Sequence, residues 1–501
     1  MSFLKLTGAL LALATSLVNV AATPVDLASH PKNATVLILG GGVTGVIAAR
    51  SLAQKGITSF IIVEARSELG GRAQDAKFGA KGKEVTVELG CNWVQGTQTG
   101  DGLANPIWGL VKKHNVKVQN NDWDNITTYD MTGANDYTDL FFESEDAYTT
   151  LTVGAGTRVD KKLVDATGRV GYALTGWKPQ TPQARASEYY QFDWEYAQTP
   201  EQSSWIASSW GNNFTYDPDV GGFGGDNLMA IDQRGFKTFI QAEAATFLKP
   251  NQVMFNSTVT NITYSNSGVN VTLKDGRFLL ADYAITTFSV GVLQNDDVGF
   301  SPPLPDWKQE AIQSIVMATY TKIFFQFDHD FWFDTQMGLY ADEERGRYPV
   351  WQTLDHVDFL PGSGVVFVTT TGDYSIRIES LPDSQVKAEV LGVLQTMFPH
   401  VKIPEPLDFM FPRWNANPLF RGSYSNWPPS FFSQHHQNLR ANVGRLWFSG
   451  EAMSLKYFGF LHGAYFEGER AGFLLAECIK GGSCVEDQVT QDVTNCAPYK
   501  I

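Results

Sequence analysis

Thr35-Val36-Leu37-Ile38-Leu39-Gly40-Gly41-Gly42-Val43-Thr44-Gly45 decides the fold of this chain. Its first five residues are β-branched or apolar throughout, which is the pattern of a strand buried on both faces. Gly40, Gly42 and Gly45 follow in G-x-G-x-x-G spacing, and an apolar run through Ala48, Ala49, Leu52 and Ala53 to Gly56 reads as a helix. A second apolar strand, Ser59 to Val63, ends at Glu64. Strand, glycine turn, helix, strand and acid together make a Rossmann-like β-α-β unit that binds a dinucleotide. Gly40 allows the tight turn, Gly42 lets a pyrophosphate approach the backbone, and Gly45 lets helix and strand pack closely. The helix N-terminus offers N–H groups and a positive dipole end to the phosphates. Glu64 is placed to accept from a ribose, and NAD and FAD are the two candidates at this point.

The chain has 501 residues, too many for one core, so two domains are expected. It is 43% hydrophobic and 18% charged, an ordinary globular composition. The net charge of −15 argues against a nucleic-acid partner, which needs a basic surface, and favours a cationic ligand. Lys5, the apolar run Leu6 to Val20 and the small residues Ala21, Ala22 and Thr23 read as a signal peptide over 1–22. No later apolar run is long enough for a membrane helix. An exported, soluble protein is therefore expected. The N-x-S/T sequons at Asn33, Asn125, Asn213, Asn256, Asn261 and Asn270 agree with export, although Asn261 and Asn270 fall in predicted strands. Cys478, Cys484 and Cys496 crowd the C-terminus, where a Cys484–Cys496 disulfide is expected, and the spacing suggests no metal site.

Further strands are expected at Val253 to Thr258, Val269 to Leu273 and Tyr283 to Thr286, the last two joined by a turn at Asp275-Gly276. Helices are expected from Trp307 to Ile315 and from Gly463 to Cys478. Between the two helices lies Tyr320-Thr321-Lys322-Ile323-Phe324-Phe325-Gln326-Phe327, a strand with Tyr320, Lys322, Phe324 and Gln326 on one face. By itself Lys322 reads as an edge-strand lysine facing water.

The chain continues Glu64-Ala65-Arg66-Ser67-Glu68-Leu69-Gly70-Gly71-Arg72, which resembles the extended E-A-R-x-x-x-G-G-R signature of the flavin amine oxidases. Leu446 to Glu451, a strand running into Gly450-Glu451, is similar to the family's second FAD motif. Val87 to Gly96, Ala318 to Ile323, Arg421 to Pro428, Tyr457 to Ala464 and Asp232 to Phe236 resemble further family segments, and they match the polyamine oxidase branch best. The resemblance implies an α/β, α+β two-domain flavoprotein, with a Rossmann-like FAD-binding domain interleaved with a mixed-sheet and helix substrate domain. The first would take 33–100, 235–305 and 430–480, the second 101–234 and 306–429, with 481–501 as a tail.

It implies noncovalent FAD, because no cysteine stands at the Gly459 turn, and oxidation of spermine, spermidine or acetyl derivatives, with dioxygen as acceptor. A monomer or weak dimer is expected. Lys322 would hold a water against the flavin, and Tyr424 and Phe460 would wall an aromatic cage beside Trp93. The cofactor would be contacted by Gly40, Gly42, Gly45, Glu64, Arg66, Gly71 and Arg72. From later segments, Gly90, Asn92, Trp93, Val259, Trp414, Gly450, Glu451 and Phe460 would join them. Gln95, Glu195, Tyr424 and Phe460 would meet substrate, and Asp193 is a second carboxylate expected along a tunnel. Three positions depart from the family pattern. Gln95 stands where plant-type polyamine oxidases carry glutamate, Phe460 where a tyrosine is usual, and Cys91 where alanine is usual. The rival readings are an L-amino acid oxidase, for which Arg413 or Arg421 would bind a carboxylate, a monoamine oxidase, and a flavin-binding protein without turnover.

Overall fold

The computed structural model describes residues 32–486 and 488. The signal-peptide segment and Cys496 lie outside the described residues. The first strand, Ala34–Leu39, pairs in parallel with Phe60–Val63 on one side and Phe278–Thr286 on the other. Its alternating side chains enter different cores. Val36 and Ile38 pack under the helix Val43–Gln54, while Leu37 and Leu39 pack with Val259, Ile262 and Val271. Burial on both faces explains why this strand has no polar face.

The sheet extends in the order Val253–Met254, Phe60–Val63, Ala34–Leu39, Phe278–Thr286, Gly268–Leu273, Val259–Ser265, Gly299–Ser301. Leu446–Phe448 joins Phe278–Thr286 in parallel, so the second FAD motif enters the same sheet as the first. The expected turn falls at Gly276, where φ is +87°, and joins the antiparallel pair Gly268–Leu273 and Phe278–Thr286. Asn261 and Asn270 lie in strands as expected. The region read as one strand to Thr258 is broken: Val253–Met254 ends early and Val259–Ser265 begins a separate strand.

A seven-stranded sheet forms the second layer, in the order Asp408–Met410, Tyr320–Gln326, Val365–Thr371, Val350–Thr353, Met337–Ala341, Ile126–Asp130, Gly133–Ala134. The lysine strand is interior, not an edge, and pairs antiparallel with both neighbours. One of its faces gives Ile323 and Phe325 to a core with Trp351 and Val368. Helical segments between 138 and 196 pack on one side of this layer, where Phe141, Ala186 and Tyr189 meet Met337, Leu339 and Val350. A small sheet of Trp93–Gln95, Asn227–Ala230 and Val118–Asn120 lies in the remaining segments.

The last helix, Leu461–Ile479, packs along Val43–Gln54. Glycines make the approach close: a Cβ on Gly468 would stand 2.4 Å from Thr44 O, and one on Gly472 2.6 Å from Ala48 O. Beyond the helix, Gly481 at φ +96° turns the chain back, and Cys484 is disulfide-bonded to Cys478. That pairing corrects the expected Cys484–Cys496 bridge. Among the described residues no helix is long and apolar enough to cross a membrane.

Candidate active site

One cavity of about 700 Å³ runs between the two sheets. At one end it meets the glycine turn. Gly40 has φ +117°, a conformation that L side chains rarely adopt. Gly45 does not line the cavity; a Cβ there would stand 2.0 Å from Gly40 O, so its bareness serves helix–strand packing. Glu64 accepts from Gly41 N at 2.7 Å and from Arg66 N at 2.8 Å, which pins the acid at the strand end. Arg66 donates to Gly71 O at 3.0 Å and closes the second glycine loop.

Arg72 ties this loop to the far motif through Glu451 Oε1 at 3.0 Å and Ser423 O at 2.8 Å. The other Glu451 oxygen accepts from Ser425 Oγ at 2.6 Å and Gly459 N at 2.8 Å. The helices Val43–Gln54 and Leu461–Ile479 both begin at this cavity, and neither N-terminus carries a side-chain cap. Uncapped helix N–H groups beside bare glycine backbone and two arginines form a donor set for a pyrophosphate. The residues present thus fit FAD. Val259, Trp414 and Gly450, expected to contact the cofactor, also line the cavity.

Lys322 lies at the meeting point of the layers. It is 2% exposed, so the water-facing edge reading is overturned. Its Nζ donates to Gly90 O and Asn92 Oδ1, each at 2.7 Å, and to Glu88 O at 3.1 Å. Burial pushes its pKa down to about 7, so the ammonium loses a proton within the physiological range. Gly90 is bare for a steric reason, because a Cβ there would stand 1.7 Å from Arg72 O. The segment that cradles Lys322 is therefore pressed against the second glycine loop. Trp93 faces the ammonium with its ring centroid 5.3 Å away.

Aromatic side chains wall the other end. Tyr424 packs on Tyr320, ring centroids 5.9 Å apart, and its hydroxyl donates to Glu195 O at 2.9 Å. A Cβ on Gly459 would stand 3.4 Å from the Tyr424 ring, so Phe460 follows directly beside that wall. Gln95 and Glu195, expected to meet substrate, line the cavity. Burial raises the Glu195 carboxyl to about 7. Asp193 does not line the cavity. It is buried behind the wall and bonded by Arg345 at 2.6 and 3.0 Å, which corrects its reading as a tunnel carboxylate.

The structure adds Tyr320, Trp123 and Trp194 to the wall, all missed in the sequence. Tyr320 was within reach of strand alternation, since it shares a face with Lys322. Trp123 and Trp194 had no such signal. They meet Trp93 edge-on at 5.9 and 5.7 Å.

Fold and cavity together define an FAD-dependent amine-oxidising flavoprotein: a dinucleotide cradle on one sheet faces a buried lysine and an aromatic chamber on the other. The chain matches the family described as flavin containing amine oxidoreductase over residues 43–472. It is 34% identical over 459 residues to polyamine oxidase 7 of Oryza sativa subsp. japonica, covering 86% of this chain and 93% of the relative. It is also 34% identical over 474 residues to polyamine oxidase 1 of Zea mays, covering 90% and 91%. Similarity to lysine-specific histone demethylase 1 homolog 2 of Oryza sativa subsp. japonica is 26% over 462 residues, 90% of this chain and 58% of that protein. The protein belongs to the flavin-containing amine oxidoreductase family, in its polyamine oxidase branch.

Proposed function

We propose that this protein oxidises the secondary amines of polyamines (spermine, spermidine or their acetyl derivatives) to an aminoaldehyde, a smaller amine and hydrogen peroxide. The observation that carries the reading is the chamber itself: aromatic walls, a buried lysine and a half-buried carboxylate, Glu195, beside them. Bound noncovalently, FAD would accept a hydride from the carbon beside the reacting nitrogen and pass two electrons to dioxygen. Trp93, Tyr320, Tyr424 and Phe460 exclude water and hold the alkyl chain, and aromatic faces accommodate the arriving cation. Glu195 holds a second ammonium of the substrate. Lys322 Nζ, with its lowered pKa, holds or releases a proton beside the reacting amine.

The amino acid oxidase reading finds little support. Arg413 donates to Glu379 O, Leu381 O and Asp383, and Arg421 is paired bidentately with Asp297 at 2.7 Å. Neither arginine lines the cavity. The decisive measurement is anaerobic bleaching of the oxidised flavin by spermine, spermidine, benzylamine and L-phenylalanine, in the wild type and Lys322→Met. Bleaching by the polyamines alone, slowed at least about a hundredfold in the variant, is expected. Bleaching by L-phenylalanine would move the activity to amino acids; flavin left oxidised by all four would leave a binding protein without turnover. Export is proposed on the N-terminal segment and the sequons, and a glycosidase-sensitive mass in culture medium is the expected result.

A further inference from the structure

Tyr189–Asp193 forms a π-helix that runs directly into the helical turn Trp194–Tyr196, which Ala197 ends at φ +52°. A π turn holds one residue more than an α turn. It therefore rotates everything after it by about 100° relative to an uninterrupted α-helix. The residues so rotated are Trp194, Glu195 and Tyr196, and all three line the cavity. The π turn is thus what faces the Glu195 carboxylate inward. Such turns are rare and less well bonded than α turns, so this one needs an external hold.

Two carboxylates bracket it. Glu188 precedes the turn, Asp193 ends it, and their side chains are 0% and 3% exposed. Arg345, on the loop between strands Met337–Ala341 and Val350–Thr353, reaches both. Its Nε and Nη2 donate to Asp193 at 3.0 and 2.6 Å, and its Nη1 lies 2.9 Å from Glu188 Oε1. From the other side Arg169 donates to both Glu188 oxygens at 2.5 and 2.6 Å, and Trp177 Nε1 donates at 3.1 Å. A planar guanidinium spanning the residue before the turn and the turn's last residue fixes its length as well as its charge. Arg345 itself does not line the cavity.

We propose that Arg345 is a positioning residue for amine oxidation: by bridging Glu188 and Asp193 it holds the π turn that aims Glu195 at the substrate. The inference rests on the reading of Glu195 as the group that holds a second substrate ammonium. Without Arg345, Asp193 is a buried carboxylate without its cation, and the segment relieves that charge by relaxing toward α-helix, which moves Glu195 away from its inward aim.

The test is a double-mutant cycle on FAD-loaded enzyme with spermidine: wild type, Glu195→Gln, Arg345→Met and the double variant. Each single change is expected to raise KM about tenfold, with kcat of Arg345→Met within about twofold of wild type. The double variant is expected to stay near about tenfold, because both changes act through one carboxylate. A roughly hundredfold rise in the double variant, or an unchanged KM in Arg345→Met, would overturn the proposal. An unchanged KM in Glu195→Gln would instead overturn the reading of Glu195 and remove the inference with it. Should Arg345→Met fail to retain FAD, Asp193→Asn keeps the shape, weakens the bridge and enters the same cycle with the same criteria.

Discussion

Glu195 and Asp193 differ by two positions and part at the junction where the π turn ends and the helical turn Trp194–Tyr196 begins. Glu195 faces the chamber and Asp193 faces Arg345. The two carboxyls are both raised by burial, to about 7 and about 6, with Arg345 opposing the rise only at Asp193. The sign at Glu195 sets a pH dependence. Above pH about 7 it is a carboxylate and attracts an ammonium; below, it is neutral and does not. KM for spermidine is therefore expected to climb as pH falls through about 7, and Glu195→Gln is expected to flatten that limb. Steady-state kinetics from pH 6 to about 8.5 decide the matter, a range chosen to straddle that titration. An equally steep limb in the variant would assign the titration to another group.

The pairing of the first and last helices is an element-scale consequence of two glycines. Gly468 and Gly472 let the backbone of Leu461–Ile479 lie against Thr44 and Ala48, which brings two uncapped helix starts to the same cavity. Gly468→Ala puts a methyl 2.4 Å from a backbone carbonyl and is expected to cost about 1–3 kcal/mol and to weaken FAD retention. Gly392→Ala, in the exposed middle of Asp383–Met397 with open space around it, is expected to stabilise by about 0.5–1 kcal/mol. Thermal unfolding with flavin release as a second readout separates the two; equal shifts would mean that helix approach is not what Gly468 protects.

The glycine turn after the first strand was legible in the sequence because Gly40 and Gly45 stand where backbone must turn or come close. The lysine strand was also legible, and so was the last helix, which begins two residues earlier and ends one later than expected. The cover from Thr138 to Tyr216 was not. The longest helix, Thr138–Asp160, buries Phe141, Ser144, Ala147, Leu151, Thr152 and Ala155 along one face, a stripe of small and polar residues with few apolar ones to mark it, and the others are shorter. A π turn has no side-chain signature, and the inward aim of Trp194 and Glu195 depends on it. The disulfide was misread for a similar reason: the turn at Gly481, not the crowding of cysteines, selects Cys478 as the partner of Cys484.

At the scale of the whole molecule, two sheets with separate cores face each other across the cavity. Gly40 and Glu64 come from one layer, Lys322 and Trp414 from the other, and a cofactor lying between them touches both. Its binding energy then adds to the stability of the folded pair, because the unfolded chain has no such site. Free FAD at a hundred times its Kd contributes about 2.7 kcal/mol by this linkage. Apoprotein stripped of flavin is expected to unfold several degrees lower, by about 2–4 °C for that contribution in a chain of this size or larger where binding is tighter. Adding FAD back should raise the transition in step with its logarithmic concentration. Trp93, Trp123, Trp194 and Trp414 line the cavity, so their emission gives a direct reading of occupancy in the same scan. Two resolved transitions, only one of which moves with occupancy, would mean that the cofactor sits on one preformed layer and leaves the other untouched. A single transition that moves as a whole means that both layers unfold together with the cofactor's release, which is how a lysine on one sheet stays in register with a dinucleotide cradle on the other.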